Sequence, residues 1–131
     1  MPARGSATRG FLSVITGFLI VGTITTVLEL GLGHALGRAW GQPTLSYFIA
    51  VVGPASLAGI GGGYTTGRLA RHHPVWHAAA LALLLLVAGT AIAAREPVVG
   101  EPEWYHPVSI GGAMLGSIAG GWIARARSAF A

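Results

Sequence analysis

A chain of 131 residues that is 53% hydrophobic and only 9% charged cannot dress a water-soluble surface, since ordinary soluble domains carry roughly 25% charged residues. Its length fits one domain, and the absence of cysteine excludes disulfides, thiol catalysis and cysteine metal sites. The net charge of +4 comes from arginines in short segments beside apolar stretches, not from a stripe that tracks phosphates, which excludes nucleic acid as a partner.

A membrane-spanning helix needs about 20 mostly apolar residues, and four stretches qualify. The first runs from about Phe11 to Leu32, behind Arg4 and Arg9. It is longer than the apolar core of a signal peptide, so it is expected to stay as a span. Glu29 is the only acidic residue inside any predicted span. On a helical wheel it falls near Gly22, Thr25, Thr26 and Gly33, giving this span a small, polar face. An ionisable residue within a membrane is a candidate site by default. Glu29, with Thr26 and the nearby His34, is therefore the candidate for binding a cation or a proton. The plainer alternative is a carboxylate near the membrane edge, capped by His34, Arg38 or water.

The second stretch runs from about Leu45 to Gly67. Pro54 lies inside it and should free the carbonyl near Ala50 and kink the helix. Gly59, Gly63 and Gly67 recur every four residues and so share one helix face. Bare faces of this kind let two membrane helices approach until dispersion and weak hydrogen bonds hold them. The third stretch runs from about Val75 to Ala94, with Pro74 at its start, where a missing N–H costs nothing. The fourth runs from about Pro107 to Ala124 and repeats the glycine pattern at Gly112, Gly116 and Gly120. Packing of the second span on the fourth within one chain is the expected use of these faces. A contact between subunits is the alternative.

The arginines set an orientation. Arg4, Arg9, Arg68, Arg71, Arg125 and Arg127 fall on one side, against Arg38 and Arg95 on the other, where Glu96, Glu101 and Glu103 also lie. By the positive-inside rule the six-arginine side is cytoplasmic, with Arg68, Arg71, Arg125 and Arg127 as anchors. Trp40, Trp104 and Tyr105 are then expected at the outer interface, and Tyr64, Trp76 and Trp122 at the inner one. The segments Trp40-x-x-Pro43 and Trp104-x-x-Pro107 open the second and fourth spans. Gly62-Gly63 and Gly120-Gly121 close them. This is a weak sign of duplicated hairpins related by an axis along the membrane normal.

Parts for catalysis are missing. No nucleophile–histidine–acid set has the usual Asp or Cys, and no paired carboxylates lie within the membrane. The run GIGGG lacks the lysine and the strand of a phosphate loop. His34 and His106 lie near carboxylates but form no compact ligand motif, so no metal is expected. His77 has no partner at its depth for haem, and no cofactor is implied.

Three short patterns carry a resemblance. They are LELGLGHALG with Glu29 and His34, GGYTTGRLARHHPVWHAAAL from Gly62 to Leu81, and Trp104-Tyr105 followed by Gly120-Gly121. In these the chain resembles small, uncharacterised four-helix bacterial integral membrane proteins. That likeness implies the topology and no activity.

The expectation is therefore an all-α fold: a four-transmembrane-helix bundle, up-down-up-down, with both termini cytoplasmic. The abundance of Arg, Ala and Gly suits a GC-rich bacterial genome and hence the bacterial cytoplasmic membrane. Such a protein is expected to be non-enzymatic. Besides the lipid bilayer, its partners would be a larger membrane complex or further copies of itself. A small transporter or channel using Glu29 and the threonine-rich face is the alternative.

Overall fold

The structure, a computed structural model, describes residues 4–36, 44–95 and 100–129, and side chains from residue 7 onward. It is all-helical, with four helices and no strand among the described residues. Helix α1 is Arg4–Ala35, α2 is Leu45–Ala70, α3 is Pro74–Ala93 and α4 is Tyr105–Ser128. All four are long and apolar enough to cross a membrane. The expected positions of Trp40, Pro43, Arg38 and Glu96 lie outside the described residues.

The helices form for different reasons. Helix α3 is more than half alanine and leucine, strong helix formers, and begins with Pro74 in its first turn. Helix α2 carries many glycines and Pro54, yet runs unbroken. Glycine costs about 1 kcal/mol relative to alanine in a helix in water. In hydrocarbon the alternative is an unpaired backbone group, which costs more, so the helix persists. Helix α1, at 32 residues, is about 48 Å long and exceeds the roughly 30 Å hydrocarbon layer. It begins seven residues before the apolar stretch does.

Neighbours follow a ring: α1 touches α2, α2 touches α4, α4 touches α3, and α3 returns to α1. Across the ring α2 also meets α3, whereas the backbones of α1 and α4 do not adjoin among the described residues. Along α1 and α2 the contacts advance in opposite senses, with Ser13 opposite Thr66 and Val21 opposite Gly62. The same holds for α3 and α4, where Ala78 meets Ser117 and Gly121, and Gly89 meets Ile110. Along α2 and α4 they advance together, from Gly59 against Ala113 to Gly67 against Ala124.

Candidate functional site: a glycine seam and an acid–aromatic cluster

The closest approach in the molecule is between α2 and α4. A Cβ added at Gly59 would land on the carbonyl of Ala113, and one at Gly63 on the carbonyl of Ser117. From the other side, a Cβ at Gly116 would land on the carbonyl of Ser56, and one at Gly120 on that of Ile60. The hydrogen standing in for each missing Cβ thus points at a carbonyl oxygen, the geometry of Cα–H···O bonding at helix interfaces. One register shift carries Gly59 onto Gly116, Gly63 onto Gly120, Ser56 onto Ala113 and Ile60 onto Ser117. Each contact therefore has a mate, and the seam has a local two-fold relation. The adjacent Gly-Gly pairs fall one residue out of this register. Gly62 turns to Val21 of α1, and Gly121 turns to Ala78 of α3. At the ends of the seam, Gly112 lies against Ser56 and Gly67 against Ala124.

Two hydroxyls tie the outer pairs of the ring to this seam. Thr66 Oγ1 donates to the Ser13 carbonyl at 3.2 Å, joining α2 to α1. Ser117 Oγ donates to the Ala78 carbonyl at 3.0 Å, joining α4 to α3. Both side chains are fully buried, so the bonds meet a need that lipid could not. By contrast Thr16, Thr65 and Thr90 face outward or half outward and satisfy their hydroxyls on the preceding turn of their own helices. The packed face of α1 is Gly10, Ser13, Gly17 and Val21. His77 of α3 lies over Gly10, with its Nδ1 3.1 Å from the His73 carbonyl.

At the opposite end from the arginine-rich turn between α2 and α3, the helices are held apart by rings. Tyr47, Phe48 and Val51 of α2 and Tyr105 of α4 form a buried cluster, with Leu32 of α1 and Val52 packed against it. The Phe48 ring meets Tyr105 edge-on with centroids 4.7 Å apart, and Tyr47 with centroids 5.7 Å apart. Glu29, Tyr47 and Glu101 all lie within electrostatic reach of the Tyr105 hydroxyl. Glu101 pairs with His106, Oε1 to Nε2 at 2.6 Å. Acid, phenol and imidazole groups from α1, α2, α4 and the segment before α4 thus gather at one end of the bundle. No group of three or more His, Asp or Glu able to hold a metal ion occurs among the described residues.

The residues singled out as an ion or proton site are not drawn together. Glu29 is half-buried and faces this cluster, whereas Thr26 and His34 are exposed. His34 comes five positions after Glu29, which turns the histidine to another side of the helix. Gly22 is exposed too, with open space beside it, while Gly33 is buried. The small face of α1 is therefore only partly turned inward. Tyr105, expected near the outer end, is buried against Phe48 in the aromatic cluster. Its neighbour Trp104 is exposed. Arg68, Arg71, Arg125 and Arg127 are all exposed. The Arg125 guanidinium carbon lies over the Trp122 ring, 5.3 Å from its centroid, and that of Arg127 over the Tyr64 ring of α2, 5.9 Å from its centroid.

Sequence reasoning missed Ser13, Thr66 and Ser117 as cross-helix donors and acceptors, and Tyr47 and Phe48 as the cluster's core. A signal for the first was available: Gly10, Ser13 and Gly17 are small residues at helical spacing, the same mark that singled out the glycine faces. Comparison with protein-family models, with curated proteins and with solved structures finds no match to this chain.

Proposed function

We propose that this chain is a non-enzymatic, multi-pass membrane protein that serves as an accessory or structural subunit, in a larger membrane complex or as copies of itself. The observation that carries this reading is the seam. The middle of the bundle is filled backbone against backbone from Ser56 to Gly67 and from Gly112 to Ala124, a construction suited to a rigid element rather than to a moving carrier. Since the glycine faces are occupied by each other, association falls to the outward-facing surface of the helices. In this reading the bundle runs up-down-up-down in the bacterial cytoplasmic membrane with both termini cytoplasmic, as the arginine bias favours. Reporter fusions after Gly100 and after Arg127 should then report opposite sides.

The deciding experiment is purification of the tagged protein from its native membrane in mild detergent at native expression, followed by native mass spectrometry. A reproducible partner at fixed stoichiometry, or a defined homo-oligomer inert in flux assays, is the expected result. A monomer free of partners would count against the reading.

The acid–aromatic cluster favours a second reading, a small proton- or cation-coupled carrier using Glu29. It predicts flux in liposomes that Glu29→Gln abolishes while expression and fold remain. Under the first reading the same substitution is silent in every assay except a modest change in stability.

A further inference from the structure

At the arginine-rich end, a tyrosine and two arginines lie along the outward side of α2 and α4. Tyr64 adjoins Gly63, which faces α4, and Arg68 follows one turn later on the same face of α2. Arg127 reaches across from α4 to place its guanidinium over the Tyr64 ring. Both arginines are exposed, and Tyr64 is half-buried. A guanidinium held over a ring by its charge spends no N–H donor on that contact and keeps them for a bidentate acceptor. None of the four acidic residues lies in the sequence of this end: they are Glu29, Glu96, Glu101 and Glu103. Among the described residues neither cation has an Asp or Glu side chain at this end to pair with. Toward the membrane centre the same face of α2 continues with Leu57, and α4 presents Ile123, both exposed and apolar. Cation, ring and aliphatic surface thus follow one another along the groove in the order of an anionic lipid's phosphate, glycerol region and chain.

We propose that Arg127, over the Tyr64 ring, and Arg68, one turn further along α2, bind the phosphodiester of an anionic phospholipid at the lipid-facing edge of the α2–α4 seam. The site is separate from the acid–aromatic cluster at the other end and stands whichever function the protein serves. Binding there would also lock the C-terminal turn of α4 to α2, extending the seam beyond Gly67.

The test uses the full chain in mild detergent with equimolar phosphatidylglycerol and phosphatidylcholine, counting retained lipids by native mass spectrometry. Retained phosphatidylglycerol should exceed phosphatidylcholine and fall by roughly fivefold for each arginine lost in Arg68→Gln and Arg127→Gln. Arg9→Gln with Arg125→Gln removes the same charge from the same end, but from α1 and from the guanidinium that lies over Trp122 rather than Tyr64, and should leave retention unchanged. Circular dichroism and a single elution peak check that the variants, all at exposed positions, stay folded. Equal retention of the two lipids would overturn the proposal. So would an equal loss in both double variants, which would mean a diffuse field without a site. Displacement of the lipid by millimolar inorganic phosphate would reassign the groove to a soluble anion and overturn the lipid.

Discussion

The two halves of α2 meet α4 in opposite ways. From Ser56 to Gly67 side chains are removed and backbones touch. From Tyr47 to Val51 side chains are large and the gap is filled with rings. Pro54 lies between the two regimes, where its missing N–H leaves the Ala50 carbonyl without its helical donor. In water, the ring cluster would dominate stability, because burying an aromatic removes a large apolar area from solvent. In lipid that advantage shrinks, since the tails are as apolar as the rings. What remains is fit: the number of close contacts and how far each tolerates displacement. The seam makes many directional contacts that tolerate none. The cluster makes fewer, through groups that can turn.

The comparison breaks most sharply at the centre of the seam. Gly63→Leu or Gly116→Leu should abolish the bundle, because no rotamer avoids the opposing carbonyl. Even Gly63→Ala or Gly120→Ala should cost about 1–3 kcal/mol, the range for forcing a methyl into a packed site. Gly22→Ala and Gly53→Ala, where a Cβ meets nothing within 4 Å, should be neutral or stabilise by up to about 1 kcal/mol through helix propensity. Reversible unfolding in mixed micelles measures all of these. Equal effects at Gly63 and Gly53 would mean that the two helices are not in backbone contact.

At the other end, Phe48→Ala removes the ring that touches both Tyr47 and Tyr105. The same truncation in a water-soluble core costs roughly 3–5 kcal/mol. Here about 1–2 kcal/mol is expected, from lost ring contacts alone. A loss in the soluble range would show that water reaches this end of the bundle in the unfolded reference state, and would place the cluster nearer the headgroups than the hydrocarbon.

How much of this was legible beforehand differs by level. Span length and hydropathy are summed over about twenty residues, so the four helices stand out in the sequence, although α1 starts earlier than its apolar run because Arg4 and Arg9 extend it toward the surface. Four-residue glycine spacing shows that Gly59, Gly63 and Gly67 share a face, and likewise Gly112, Gly116 and Gly120. It does not show what that face touches, since contact depends on how two helices lie together. The same gap explains α1. A wheel places Thr26 near Glu29, but only the position of α2 decides that Ser13, Gly17 and Val21 are the side turned inward. The aromatic cluster was hidden for another reason. Tyr and Trp favour membrane interfaces on average, but that average does not say which ring turns outward: Trp104 is exposed, whereas its neighbour Tyr105 packs on Phe48.

The smallest expected effect separates close approach from hydrogen bonding as the source of order. Thr66→Val keeps the shape beside Gly17 and removes only the bond to the Ser13 carbonyl; Ser117→Ala removes the bond to Ala78. Each carbonyl belongs to a continuous helix and retains its own helical donor, so neither substitution strands a buried acceptor. Cross-helix hydroxyl bonds in membrane proteins contribute about 0.6 kcal/mol on average, and that is the loss expected here for each. The two sites lie on different helix pairs, so the double variant should be near the sum. Should Thr66→Val instead cost more than Gly63→Ala in the same unfolding assay, the buried hydroxyls would be what specifies the arrangement. The glycine seam would then be a consequence of helices already held in place, rather than the contact that sets them.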